Sequence, residues 1–173
     1  MNYASIKTAD IANGIGVRVS LFVSGCTHMC KNCFNEEAWD FNYGSFFDKK
    51  AEEEVLTLLK PNHIDGLSLL GGEPLDPRNQ IGLIPLLRKF KELYPNKTLW
   101  CYSGYTYEHL TEVMAKELPY TEEILSYIDV LVDGKYVDEL KDITLRFRGS
   151  ANQRLIDVKQ TRQSGNIVIW NDK

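Results

Sequence analysis

No apolar run in this chain approaches the roughly 20 residues needed to span a bilayer. The segment from Met1 to Asp10 alternates polar residues where a secretory leader would carry an apolar core. A cytoplasmic protein without a membrane partner is expected. Basic charge is also scarce. The 20 Lys and Arg residues are outnumbered by 24 Asp and Glu, leaving a net charge of −4, whereas nonspecific nucleic-acid binding needs clustered cations that displace counterions from phosphates. No nucleic-acid partner is expected; small molecules or a protein surface fit better. With 12 glycines and 6 prolines, the composition leaves no room for a long disordered tail, and there is no internal repeat. The 173 residues suffice for one domain, 1–173, but fall short of the roughly 250 of a complete eight-stranded α/β barrel.

Cysteine is sparse as well, with four in the chain, and its distribution is uneven. Cys26, Cys30 and Cys33 fall within one short stretch, Cys26-Thr27-His28-Met29-Cys30-Lys31-Asn32-Cys33. In a protein of a reducing compartment such clustering points to metal binding rather than to a disulfide framework. The C-x3-C-x2-C spacing places three soft thiolates where they can converge on iron. A four-iron cluster held by three cysteines leaves one iron open to a substrate, as a catalytic zinc keeps one coordination position free. A zinc knuckle completed by His28 is the competing reading, but such sites usually draw their ligand pairs from separated segments. His28 is otherwise a loop residue beside the cysteines, either exposed or hydrogen-bonded to a sulfur. Cys101, alone inside an apolar run, reads as a small buried hydrophobe.

The hydrophobic pattern alternates strands and helices. Val17 to Val23 has the period of a strand, so the cysteine cluster begins at a strand's C-terminal end. Ser45 and Asp48 form a candidate capping pair for a helix from about Asp48 to Lys60. Gly66 to Leu70 is a second strand, followed by a helical face of Ile81, Ile84, Leu87, Phe90 and Leu93 in which Pro85 is a candidate kink. Thr98 to Tyr102 and Asp129 to Val132 read as strands, Tyr107 to Glu117 and Glu122 to Tyr127 as helices. Arg154 to Gln160 and Ile167 to Trp170 read as short strands around a turn at Ser164-Gly165-Asn166. The expected fold is α/β, an open, incomplete (β/α) barrel with a largely parallel sheet, in which chemistry gathers beyond the strands' C-terminal ends.

At the end of the second strand stands Gly71-Gly72-Glu73-Pro74-Leu75. Two glycines let backbone approach a ligand closely, and a carboxylate follows. Together with the cysteine spacing, this segment resembles the radical S-adenosylmethionine superfamily. The resemblance sharpens across the chain. Asn13-Gly14-Ile15-Gly16-Val17-Arg18, Leu21 to Cys26, Cys33-Phe34-Asn35, Ser103-Gly104-Tyr105, Leu131 to Lys135 and Arg148 to Arg154 are similar, in order, to segments of the activating proteins of anaerobic ribonucleotide reductase.

The resemblance implies a [4Fe-4S] cluster on Cys26, Cys30 and Cys33, and S-adenosyl-L-methionine as cofactor. The chemistry would be carried by these two groups rather than by a catalytic side chain. Gly71, Gly72 and Glu73 would meet the methionyl ammonium group, Ser103 the methionyl or ribose part, and Asp133 and Lys135 the ribose hydroxyls and methionyl carboxylate. For Asp133 a solvated Asp-Gly turn is the plainer alternative.

The implied protein substrate is the anaerobic reductase, on which a glycyl radical would be made, with electrons from an external low-potential donor. Alternatives are an activase of another glycyl-radical enzyme such as pyruvate formate-lyase, action on a small molecule, or a noncatalytic cluster- or zinc-binding module. Two departures stand out: Ile15 where the family usually has proline, and Asn32 where many superfamily members carry an aromatic ring. The first would loosen the N-terminal turn; the second removes a ring that could stack on adenine, with Phe34 the one candidate to replace it, and leaves the adenine contacts unassigned. His63 and His109 are expected at the surface, and Arg148, Asn152 and Arg154 are expected to meet a partner, the cofactor or their own loop.

Overall fold

The computed structural model describes residues 1–171. Its frame is an open seven-stranded sheet of order β3-β1-β2-β4-β5-β6-β7. Four strands run parallel in the middle: β2 (Arg18–Val23), β4 (Gly66–Gly71), β5 (Thr98–Tyr102) and β6 (Val130–Asp133). Antiparallel strands flank them, β1 (Asn2–Asp10) and β3 (Ser45–Phe46) on one side and β7 (Arg154–Asp157) on the other. The sheet is therefore mixed, parallel only at its centre, and it does not close. β1 escapes a reading by hydrophobic period because its residues are mostly half-buried or exposed; pairing with β2, not apolar content, makes it a strand.

Alternation within the central strands gives the sheet two faces. Val19, Leu21, Val23, Leu67, Leu69, Leu99, Cys101, Leu131 and Ile156 point into the main core. Helices cover that face: α1 (Lys49–Leu58), α2 (Pro77–Leu93), the short α3 (Tyr107–His109) running through a π-helical turn (Leu110–Met114) into α4 (Ala115–Glu117), then α5 (Thr121–Tyr127) and α6 (Val158–Ser164). The opposite face carries Trp100, Val130, Val132 and Leu155, packed with Tyr102, Phe147 and Trp170, and beside them the buried polar residues Arg18, Ser20 and Ser68.

Local sequence explains most element ends. Asp48 alone caps α1, accepting from the Ala51 amide at 2.9 Å, while Ser45 pairs with Tyr3 in the sheet. Asp76 caps α2, which starts at Pro77 and continues through Pro85; the proline sits on its exposed side. Ile81 and Leu93 are 62% and 56% exposed, because a strict three-residue spacing slips by about 60° per step on a helix of 3.6 residues per turn. The buried stripe is instead Leu83, Ile84, Leu86, Leu87 and Phe90. The strand expected over Arg154 to Gln160 is shorter: it ends at Asp157, whose carboxylate accepts from the Gln160 amide at 2.9 Å and opens α6. Gly165, with φ of 73°, closes that helix, so Ser164-Gly165-Asn166 is a helix end rather than a hairpin turn. Beyond it, Ile169 makes a single bridge to Ile156.

Candidate functional site

All four parallel strands end at the same edge, and each hands its chain to a segment singled out in the sequence: β2 to the cysteine loop, β4 to Gly72 and Glu73, β5 to Ser103 and Gly104, β6 to Gly134 and Lys135. Beside this edge, on the polar face of the sheet, lies a cavity of about 490 Å³, within the usual range for a small-molecule site. Cys33, Gly71, Gly72, Ser103, Gly134 and Tyr102 line it, together with the loop from Lys141 to Gly149. Phe34 and Ile143, among the most exposed apolar side chains at 85% and 90%, stand at its wall.

Cys26, Cys30 and Cys33 are free thiols and partly accessible, whereas Cys101 is fully buried on the helix-covered face. Burial pushes the Cys26 thiol up to about 11, with the Glu73 charge adding to it and the amides of His28 and Met29 pulling the other way. Burial also raises Cys30. A bound cation reverses that balance, since coordination favours the thiolate. Among the described residues, no three His, Cys, Asp or Glu side chains gather closely enough for a single metal ion. Three thiols on one loop, with soft sulfur donors and no carboxylate among them, are the donor type that iron–sulfur clusters use.

Glu73 is 1% exposed and does not line the cavity. Its two carboxylate oxygens accept four hydrogen bonds: Oε1 from the Ser103 hydroxyl and the Leu75 amide, both at 2.9 Å, and Oε2 from the Gly104 amide at 2.7 Å and His28 Nε2 at 2.8 Å. Ser103 is spent in the same network, its oxygen also accepting from the Tyr105 amide. The glycines before Glu73 are required by close packing. Gly71 has φ of 111°, and a Cβ there would lie 2.5 Å from the Val23 carbonyl oxygen; one at Gly72 would lie 2.5 Å from that of Gly25.

Asp133 is buried under the opposite end of the site. It accepts from the Tyr107 amide at 2.8 Å and from Arg154 Nε at 3.0 Å and Nη2 at 2.5 Å, while Arg154 also pairs with Glu108 at 2.7 Å. Lys135 is exposed, and its carbonyl accepts from Asn152. Arg148 donates to the Gln153 carbonyl at 2.8 Å and lines the cavity. His63 and His109 are exposed.

Two residues at the site had no assigned role from sequence. Asn79, in the first turn of α2 and 1% exposed, donates from Nδ2 to the carbonyls of Ser24 and Glu73 at 3.0 and 2.9 Å, joining the starts of two loops. Arg18 is wholly buried and satisfied by hydroxyls and carbonyls: Ser68 Oγ, Ile15 O, Thr98 Oγ1, Leu67 O and Thr98 O, at 2.7 to 3.1 Å. Burial pulls its guanidinium down to about 10, opposed by the field of Tyr102, Asp65, Asp129 and Asp10. Ser68 in turn donates to the Asn13 carbonyl at 2.6 Å, so this buried cation braces one wall of the cavity. The one available sequence signal was an arginine at the head of an otherwise apolar strand.

Comparison with known proteins agrees with this geometry. The family described as "4Fe-4S single cluster domain" matches residues 12–156. The anaerobic ribonucleoside-triphosphate reductase-activating protein of Pasteurella multocida is 47% identical over 155 residues, covering 88% of this chain and 95% of its own. Its counterpart in Escherichia coli K12 is 40% identical, covering 88% and 96%. That of phage T4 is 39% identical, covering 90% and 93%.

Proposed function

The chain belongs to the family of anaerobic ribonucleoside-triphosphate reductase-activating proteins, and on that premise we propose that it is a radical S-adenosylmethionine activase that installs a glycyl radical on the anaerobic reductase. The observation that supports this most strongly is that the loop bearing three free thiols and the Gly71-Gly72 backbone meet at one strand-end edge, beside a 490 Å³ cavity that Cys33, Gly71 and Gly72 line. A [4Fe-4S] cluster held there would supply the electron for reductive cleavage of S-adenosylmethionine to methionine and a 5′-deoxyadenosyl radical, the species that would take a hydrogen atom from a glycine Cα.

Cys26, Cys30 and Cys33 are the proposed ligands. Gly71 and Gly72 present backbone to the methionyl ammonium group, with Glu73 fixing that backbone from behind, because its own oxygens are already engaged. Ser103 and Asp133 hold the walls in the same sense, through Glu73 and Arg154 respectively, and Lys135, exposed at the rim, is left to meet a carboxylate. The cavity wall formed by Tyr102, Phe147 and Leu145 suits the nucleoside part.

The open sheet leaves the loop-covered side accessible to a substrate glycine, as in a partial barrel of the radical S-adenosylmethionine type, and we read residues 1–173 as one such domain. Among the described residues no helix is long and apolar enough to cross a membrane, and four free cysteines suit the reducing cytoplasm. An external low-potential donor supplies the electron. The test is 5′-deoxyadenosine formation after anaerobic iron–sulfide reconstitution, with dithionite and S-adenosylmethionine, against a Cys30→Ser control. Product dependent on Cys30 is expected; cluster-loaded protein that makes none, even with the reductase added, would refute the proposal.

A further inference from the structure

Part of the cysteine loop is held in a conformation its residues do not favour. Met29 sits in the left-handed region, with φ of 49°, which such a side chain rarely adopts, whereas Asn32, with φ of 55°, is of a type that tolerates it. Something outside the loop must hold it. Its later half is tied by Lys31 to Glu139 at 3.1 Å and by Asn32 to Asp138 at 2.8 Å. Both are exposed contacts of the kind that contribute little. The earlier half is tied differently. The His28 side chain is 7% exposed, and its Nε2 meets Glu73 Oε2, 1% exposed, at 2.8 Å. Its ring stands edge-on to Tyr105, centroids 4.5 Å apart, and Tyr105 stacks on His109 at 5.4 Å. Gly104 makes room: a Cβ there would lie 2.4 Å from His28 Cδ2.

We infer that His28 is the positioning residue that locks the cysteine loop in register with the strand-end edge, using the Glu73 carboxylate as its anchor. Nε2 is then the donor, since the carboxylate has only acceptors to offer. Through the same carboxylate, one hydrogen-bonded unit spans the loops after β2, β4 and β5, so the thiols and the Gly71-Gly72 backbone move as one body. Neither metal ligation nor proton transfer is assigned to the imidazole; its role is to fix where the three sulfurs stand relative to the cavity.

This inference rests on reading the loop as the cluster site, and the experiment separates the two. Full-length wild type, His28→Ala, His28→Gln and Gly104→Ala would be reconstituted anaerobically, and iron loss to a chelator followed by the decay of visible absorption. In parallel, amide exchange of residues 26–35 would be measured before reconstitution. A lost hydrogen bond to a charged group predicts about tenfold or more faster iron loss and loop exchange in His28→Ala, with exchange in β4 and β5 unchanged. His28→Gln, whose amide can still donate to Glu73, should recover most of the difference. Gly104→Ala, which displaces the ring without deleting a hydrogen-bonding atom, should resemble His28→Ala. Iron loss and loop exchange equal to wild type in both His28→Ala and Gly104→Ala would overturn the inference while leaving the cluster reading intact. A wild type that takes up no cluster would instead sink the cluster reading, with the exchange data still deciding the role of His28.

Discussion

The two faces of the sheet are built to different rules. One is apolar throughout and sealed by helices, its strand residues Val19, Leu21, Leu67, Leu69, Leu99 and Cys101 all fully buried. The other mixes Trp100, Val130 and Val132 with Arg18, Ser20 and Ser68, equally buried, and is covered by loops that leave a cavity. Parallel strands sandwiched between helix layers usually read as nearly continuous apolar runs. Here the second face departs from that rule where the cofactor site is proposed. The difference teaches that stability and chemistry are divided between faces: helix packing holds the strands, and their positions let the other face keep polar groups and empty volume.

Substitutions of cysteine should show the division most sharply. Cys26→Ser, Cys30→Ser or Cys33→Ser should each abolish loading of a stable cluster, read as iron per protein and visible absorption. Cys101→Ala, on the sealed face, should load iron as wild type does and lose only stability. A Cys101→Ala protein that folds but binds no iron would break the comparison.

Next in size is a deletion in the sealed face. Leu69→Ala should cost about 2–5 kcal/mol, a fall in Tm of roughly 10 °C for a chain of this length, yet leave S-adenosylmethionine affinity unchanged below the transition. Arg18→Met probes the other face. It strands the carbonyls of Leu67 and Thr98 and the hydroxyls of Ser68 and Thr98, for about 3 kcal/mol. Because Ser68 positions Asn13 at the cavity wall, it should weaken cofactor binding as well, measurably by calorimetry. Equal affinity in the two variants would mean that the faces are not specialised as described.

The smallest effect concerns acid. Just before β6, burial works against the charge of Asp129, but bonds from Lys159, the Leu99 amide and Lys91 outweigh it and hold the group below the usual carboxylate range. A carboxyl held down in the folded state contributes stability that is complete above its unfolded value and is lost as pH falls through the folded one. Asp129 joins α2 and α6 to the sheet, so Asp129→Asn should flatten the decline of Tm below about pH 5. An unchanged acid limb would show that other carboxyls dominate it.

How much of this was legible in the sequence follows the same division. Strands carrying a sealed apolar face announced themselves by alternation, and β5 was read at its observed bounds. The cysteine spacing and the Gly-Gly-Glu segment stood out because few other structures need those residues so close together. β1 was illegible, since a half-exposed strand is defined by its partner and not by its own residues. So was α6, where the β-forming residues Leu155, Ile156 and Val158 masked the capping signal of Asp157. The engagement of Glu73 by four donors depends on three loops meeting in space, and no spacing along the chain encodes it. The same holds for Asn79 and for the buried surroundings of His28.

The most direct test of the account is electron paramagnetic resonance of the purified anaerobic reductase after anaerobic incubation with reconstituted protein, reductant and S-adenosylmethionine. The account predicts a glycyl radical signal on the reductase, formed together with 5′-deoxyadenosine and absent with Cys30→Ser; cluster-loaded protein that cleaves S-adenosylmethionine yet leaves the reductase without a radical would contradict it.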